Sequence, residues 1–358
     1  MAMINSQQSA EPGHADDAPK KAAKQSVTEH RLKKTTLPAL ASRVVRNDAA
    51  GVLLATVAVL AIVGGFHSDF LAWGQLKDVL RGTEYVALLA MGMAFLLCMR
   101  EIDLSVGATF ALSLISTALL CHTVNPWLAA VLGILVGAGL GLVNALLVMV
   151  VRIPTIIATL ATLSMFRGLA LAMSKGQQVT DLPLKSSFFS IVGGEVLGLP
   201  FGVWVMIVVA LLLTVVMRMT TFGYRIRAVG SNPDAAEFSG ISIPRVRFMA
   251  LVLIGALGGL AGVLALAFFQ SGDPNIGSGF ELQAIAGAII GGTPLRGGRA
   301  TIVGAAIGAI LLNVVTSGLV YFNIAYNWNS FTTGVAILVA VAITSTLQYR
   351  YRRQGSAT

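Results

Sequence analysis

Side chains able to do chemistry are few in this sequence, and they fall into three groups. The first is a polar island, GYRIRAVGSNPDAAEFSGI at residues 223–241, which carries Arg225, Arg227, Asp234 and Glu237 between long apolar runs. The second is a set of hydrogen-bonding residues in or beside those runs: Asp103, Ser105, Asn144 and Asn313. The third is a single charge, Arg167, well inside an apolar run. A catalytic centre would need a nucleophile with its base, or clustered metal ligands. His14, His30, His67 and His122 are instead scattered through tail-like and loop-like positions. The phosphate-binding pattern G-x-x-x-x-G-K-[ST] does not occur, so any ATP hydrolysis must belong to another polypeptide. No enzymatic site and no cofactor are expected.

The polar island has the parts of a short, well-capped helix. Asn232 is a good N-cap, Pro233 suits the first helical position, and Asp234 and Glu237 favour the positive end of the helix dipole. Gly240 can adopt the left-handed turn that ends such a helix. The spacing predicts about two turns from Pro233 to Ser239, too short to persist alone in water. Something must hold it, either the rest of the protein or a partner, and Phe238 offers an apolar contact.

The elements around these residues belong in a membrane. Of 358 residues only 11% are charged and 56% are hydrophobic, where a soluble domain carries about 25% charge. Apolar runs of membrane-spanning length recur. They cover Ala49 to Phe66, Thr83 to Met99, Leu104 to Val124, Pro126 to Val151, Pro154 to Met173, Phe201 to Met217, Phe248 to Phe269, Ala300 to Val320 and Phe331 to Leu347. A further segment from Leu282, LQAIAGAIIGG, is too short to cross comfortably. Either it starts earlier, near Ser278, or it is a broken or tilted piece buried among other helices. The formal net charge of +9 is not a nucleic-acid signal, because the basic residues cluster between spans and at the two ends. Cys98 and Cys121 sit in or beside apolar segments and read as small buried hydrophobes.

Charge placement gives an orientation. Arg31, Lys33, Lys34, Arg43 and Arg46 precede the first span, and Arg350, Arg352 and Arg353 follow the last. Both ends should be cytoplasmic, which requires an even number of crossings. Ten crossings put Arg100, Arg152, Arg296, Arg299 and the loop 218–247 on the inside, and the stretch from Ser174 to Pro200 on the outside. The expected organisation is a solvated, disordered cytoplasmic tail at 1–48, an all-α membrane bundle at 49–347 with its spans met by lipid, and a cytoplasmic tail at 348–358. Two halves of five spans would form an inverted repeat. GILVGAGLGLVNALLV (133–148) and GAAIGAILLNVV (304–315) share Gly-x-x-x-Gly followed by a lone Asn, a faint echo of such a repeat. Gly133, Gly137 and Gly141, Gly255 and Gly259, and Gly304 and Gly308 lie four apart, the spacing that lets helix backbones touch.

Four stretches, in order, resemble the ribose-type permease subunits of bacterial ABC importers, within the branched-chain amino-acid permease superfamily. They are EIDLSVGATFAL (101–112), IPTIIATLATLSMFRGLAL (153–171), FGYRIRAVGSNPDAAEFSGI (222–241) and GGTPLRGGRATIVGAAIGA (291–309). Together they cover about residues 75 to 347. The resemblance implies a monosaccharide importer in the inner membrane whose Gly230, Asn232, Pro233, Asp234, Glu237, Phe238 and Gly240 form the segment coupled to an ATP-binding subunit. It further implies a periplasmic sugar-binding protein and a second permease copy as partners. Where the family often has TNG-x-P-I after the fifth span, this chain has SKGQQV. Pathway candidates are Asp103, Ser105, Asn144 and Asn313, although an interhelical hydrogen bond is the simpler role for the asparagines. Arg167 is expected to snorkel or to brace the bundle by pairing with Glu84 or Glu281. An ion-coupled secondary transporter is the alternative. Such carriers place acids or histidines near mid-membrane, whereas here the acids fall at span ends.

Overall fold

In lipid a backbone amide has no water to bond, so an apolar run must satisfy its own donors and acceptors as a helix. The computed structural model describes residues 48–324 and a few positions between 328 and 339, and it follows this rule. The apolar helices are α1 (Asp48–Phe66), α2 (Trp73–Cys98), α3 (Val106–Leu120), α4 (Pro126–Met149) and α5 (Thr155–Met173). A short α6 (Ser187–Val192) and a hairpin of β1 (Glu195–Val196) with β2 (Leu199–Pro200) lead into α7 (Phe201–Met219). Two polar helices, α8 (Thr221–Ser231) and α9 (Pro233–Phe238), precede α10 (Ile243–Phe269), α11 (Phe280–Ile290) and α12 (Ile302–Tyr321). The chain is an all-α membrane helix bundle. Six of the described helices, α2, α4, α5, α7, α10 and α12, are long and apolar enough to span. The expected tails at 1–48 and 348–358 and the run from Phe331 to Leu347 lie largely or wholly outside the described residues.

Two helices begin earlier than hydropathy suggests. α2 starts at Trp73 rather than Thr83, because Lys77, Asp78 and Arg81 lower the apolar average while forming helix all the same. Lys77 Nζ bonds both Glu195 carboxylate oxygens at 2.8 Å, which holds that carboxyl below its ordinary value. α10 likewise starts at Ile243 rather than Phe248, the intervening charges being Arg245 and Arg247.

The core is built around α2, whose most apolar window is 83% buried, against 28% for α4, α5 and α7 at the periphery. Backbone contact sets the packing. Gly137 and Gly141 of α4 lie directly on Gly255 and Gly259 of α10, and Gly287 and Gly291 at the end of α11 lie on Gly308 and Gly304 of α12. A methyl group at any of these glycines except Gly287, where it would only fit tightly, would overlap the facing helix. Such close approach is how helices associate without a hydrophobic driving force.

Connections collect at two ends of the bundle. At one end Val179 pairs with Gly272, Trp127 Nε1 donates to Ser187, and Lys77 meets Glu195. At the other, Gly298 N donates to the Cys98 carbonyl at 2.8 Å, and Glu101 pairs with Arg247. Two connections do not stay outside. Residues 99–105 carry Asp103 and Ser105 into the interior, 2% and 0% exposed. The segment 270–279 descends until the Gly277 carbonyl packs on Gly107, in the first turn of α3. α3 and α11 therefore begin inside the bundle. The segment around Leu282 is a short helix of 11 residues, covering about 16 Å at 1.5 Å per residue.

Candidate functional site

The polar island forms two helices. The loop proper, between α7 and α10, runs from Thr220 to Ser242, and α8 opens it with the Thr220 hydroxyl capping Gly223 N. Ile226 and Val229 of α8 are buried, and Phe222 packs beside them. At the end of α8, Gly230 lies against the Cys98 carbonyl and Gly298 N. A side chain there has no room. Arg100, in left-handed backbone at φ 66°, donates from Nε to Gly230 O and from Nη2 to Ser231 O, each at 3.1 Å. Three chain segments, 98–100, 230–231 and 297–298, thus lock together at this end of the bundle.

α9 follows after one extended residue, Asn232. The Asn232 side chain accepts from Ala235 N at 3.1 Å, Pro233 sits in the first turn, and Asp234 is the acidic residue there. The helix ends one residue earlier than the sequence suggests, at Phe238, with Ser239 as its C-cap. Gly240 has φ 80°. Gly240 N donates to Glu237 O, and Ile241 N donates to Ala236 O, the paired bonds of a Schellman ending. Ala236 is the buried residue of α9 and turns it onto the protein. Asp234 and Glu237 are exposed, and Phe238 is 94% exposed. The Phe238 ring therefore stands clear of the protein on the polar outward face of α9.

The interior polar residues form a different kind of arrangement. Asp103 Oδ1 accepts from both Ser105 N (2.7 Å) and Ser105 Oγ (2.6 Å). Asn144 Nδ2 donates to Ser105 Oγ at 2.8 Å, and Thr162 Oγ1 donates to Asn144 Oδ1 at 2.7 Å. Thr159 Oγ1 accepts from Leu104 N at 3.1 Å. This chain of bonds ties the entry of α3 to α4 and α5, with Asp103, Ser105, Asn144 and Thr162 all buried. Asn313 is not part of it. Its Nδ2 donates to Val79 O in α2 at 2.6 Å.

Among the described residues Arg167 forms no salt bridge with Glu84 or Glu281, the two carboxylates expected to brace it. Its Nη1 donates to the carbonyls of Pro274 (2.7 Å) and Ile276 (3.2 Å), in the segment that descends into the bundle. Those carbonyls lie outside any helix, and a guanidinium donor satisfies both at once. Glu281 is close by, with its Oε2 packed on Gly107. Glu84 lies elsewhere, over Gly202 in the first turn of α7.

A family model described as branched-chain amino acid transport system / permease component matches residues 75–341. The chain belongs to this family. The permease is 36% identical to the ribose import permease protein RbsC of Bacillus subtilis over 294 residues, covering 82% of this chain and 91% of that protein. It is 32% identical to the L-arabinose ABC transporter permease protein AraH of Azospirillum brasilense, covering 82% and 86% of the two chains. It is also 32% identical to the D-allose transport system permease protein AlsC of Escherichia coli K12, covering 83% and 91%. No solved structure matches the chain significantly.

Sequence reasoning missed parts of the permease. α8 went unread as a helix, although Phe222, Ile226 and Val229 repeat at helical spacing and Thr220 is a cap. Arg100 was counted only as an inside charge, yet it fastens α8. The acids also lie deeper than span ends. Glu84 is 3% exposed, eleven residues into α2, because that helix starts ten residues earlier than the apolar run.

Proposed function

We propose that the chain is the membrane subunit of a bacterial ABC importer that carries a monosaccharide, ribose or a related sugar, inward. The observation that carries this reading is α9, a capped helix with Glu237 and Phe238 facing outward, mounted on α8. Relatives named as ribose, L-arabinose and D-allose permeases support it. In this reading the Arg-rich end is cytoplasmic, and a separate ATP-binding subunit docks on α9. A periplasmic sugar-binding protein delivers cargo to the opposite end, and a second permease copy completes the pathway.

The finer architecture belongs to the same proposal: ten crossings, both termini inside, and a five-plus-five inverted repeat. The alternation of connections between two ends supports it, as does the pair of helices that begin inside the bundle. Mechanically, α8 and α9 act as one lever. A displacement imposed on α9 passes through Gly230 and Arg100 to the inner end of α2, and through Gly298 to the turn before α12. The buried network at Asn144 works as a clamp that keeps α3, α4 and α5 moving together.

Uptake by proteoliposomes tests the reading. With the ATP-binding subunit and the sugar-binding protein present, transport should require ATP inside and a hydrolysable γ-phosphate. Uptake driven by a proton or sodium gradient without ATP would establish the ion-coupled carrier instead.

A further inference from the structure

A cleft of about 760 Å³ opens at the Arg-rich end, beside α4, α5 and α10. Its walls are of two kinds. Val148, Met149, Ile153 and Ile156 make an apolar side, and Met149 and Ile156 are exposed on peripheral helices. The polar part of the lining is Arg152, Thr155 and Arg247, with Glu101 paired to Arg247 through a charge contact at 2.5 Å. Counting these side chains, the net formal charge is one positive.

Three further observations give the polar side a preference. No side chain caps the N-terminus of α5, which opens into the cleft at Pro154, Thr155 and Ile156. Such a terminus presents backbone donors and partial positive charge to an anion. Thr155 is 4% exposed, and its Oγ1 has no hydrogen-bond partner among the described residues. Arg152 is exposed, held at φ 63° on the cleft wall, and makes no ion pair or side-chain hydrogen bond among the described residues. A free guanidinium, an orphan hydroxyl and a bare helix end converge on one space.

We propose that this cleft holds the phosphate headgroup of an anionic phospholipid, whose acyl chains run along Met149 and Ile156. The apolar wall argues for a lipid over free phosphate, since a free ion needs no such surface. Basic clefts between spans at the cytoplasmic side are a recognised way to hold such headgroups. The site is separate from α9, so failure of the coupling reading would leave it standing; only the leaflet depends on the proposed orientation.

The test is native mass spectrometry of the full-length chain in mild detergent with equal amounts of phosphatidylglycerol and phosphatidylcholine bearing the same acyl chains. The wild type should retain phosphatidylglycerol selectively. Arg152→Asn removes the charge with a side chain that tolerates left-handed backbone, and it should lower that retention about fivefold. Arg225→Gln, an exposed basic residue outside the cleft, should leave it unchanged. Thr155→Val should weaken retention without altering the charge. Equal retention of the two lipids, or wild-type retention by Arg152→Asn, would overturn the proposal. Displacement of the lipid by millimolar inorganic phosphate would assign the cleft to a free anion and overturn the lipid assignment.

Discussion

Arg100 and Gly230 lie 130 residues apart in the chain, yet Arg100 Nε donates to the Gly230 carbonyl at 3.1 Å. That bond joins the end of the central helix α2 to the end of α8. The absence of a side chain at Gly230 is what lets the two backbones meet, because a Cβ would overlap the Cys98 carbonyl.

Two glycines in this segment should therefore fail differently. Gly230→Ala should lower yield and melting temperature sharply, because backbone on both sides must move. Gly240→Ala meets nothing within 4 Å and keeps only the cost of left-handed backbone at φ 80°, about 1–2 kcal/mol. Thermal melting of the two variants in detergent checks the contrast. Equal melting would mean that the Gly230 contact is dispensable.

The Asn144 clamp makes a second case. Asn144→Leu leaves Ser105 and Thr162 without their partner and should reduce stability by about 0.6 kcal/mol per bond lost, and by no more than about 1.7, the average and maximum for interhelical bonds in membranes. Thr162→Val should cost less, since it removes one bond of the chain. A melting series of both single variants and the double variant would reveal the coupling as non-additivity. Strict additivity would contradict a shared network.

For Arg167, substitution by Leu removes the donor shared by the Pro274 and Ile276 carbonyls. Each buried group left unpaired costs about 1–3 kcal/mol, so expression and melting should both fall. Normal expression with selective loss of uptake would place Arg167 in the transport step instead.

The pattern of success in reading the sequence follows the physics of each signal. Caps and glycine spacing are local chemistry, so Asn232, Gly240 and the four-residue glycine spacing of α4 and α10 could be read from single residues and their neighbours, but not which helix faces which. Hydropathy averages over a window, so the early charged residues Lys77, Asp78 and Arg81 hid the start of α2, and with it the depth of Glu84. Bonds to backbone carry no residue code at the acceptor. Nothing in the sequence marks Pro274 and Ile276 as partners for Arg167, or Gly230 as one for Arg100. The descent of 270–279 into the bundle escaped for the same reason, its cues being two glycines at positive φ, Gly277 and Gly279, that also suit an ordinary turn.

Orientation is open to labelling in intact cells. A cysteine at Lys185, exposed beside α6, should react with an impermeant maleimide added outside. A cysteine at Ser239, exposed at the end of α9, should react only after the membrane is permeabilised. Outside labelling at Ser239 would reverse the orientation and remove the docking role of α9.

The most direct measurement of the central claim is capture of the ATP-binding subunit by variants of the α9 face. Glu237→Lys reverses a charge on that face, and Phe238→Ser removes its exposed ring; both side chains are exposed. Both variants should express, insert and melt as the wild type does. Each should lose co-purification of the ATP-binding subunit, together with the stimulation of ATP hydrolysis by sugar-loaded binding protein in reconstituted vesicles. Wild-type capture and stimulation by both variants would contradict the account and leave α9 as a surface helix without a docking role.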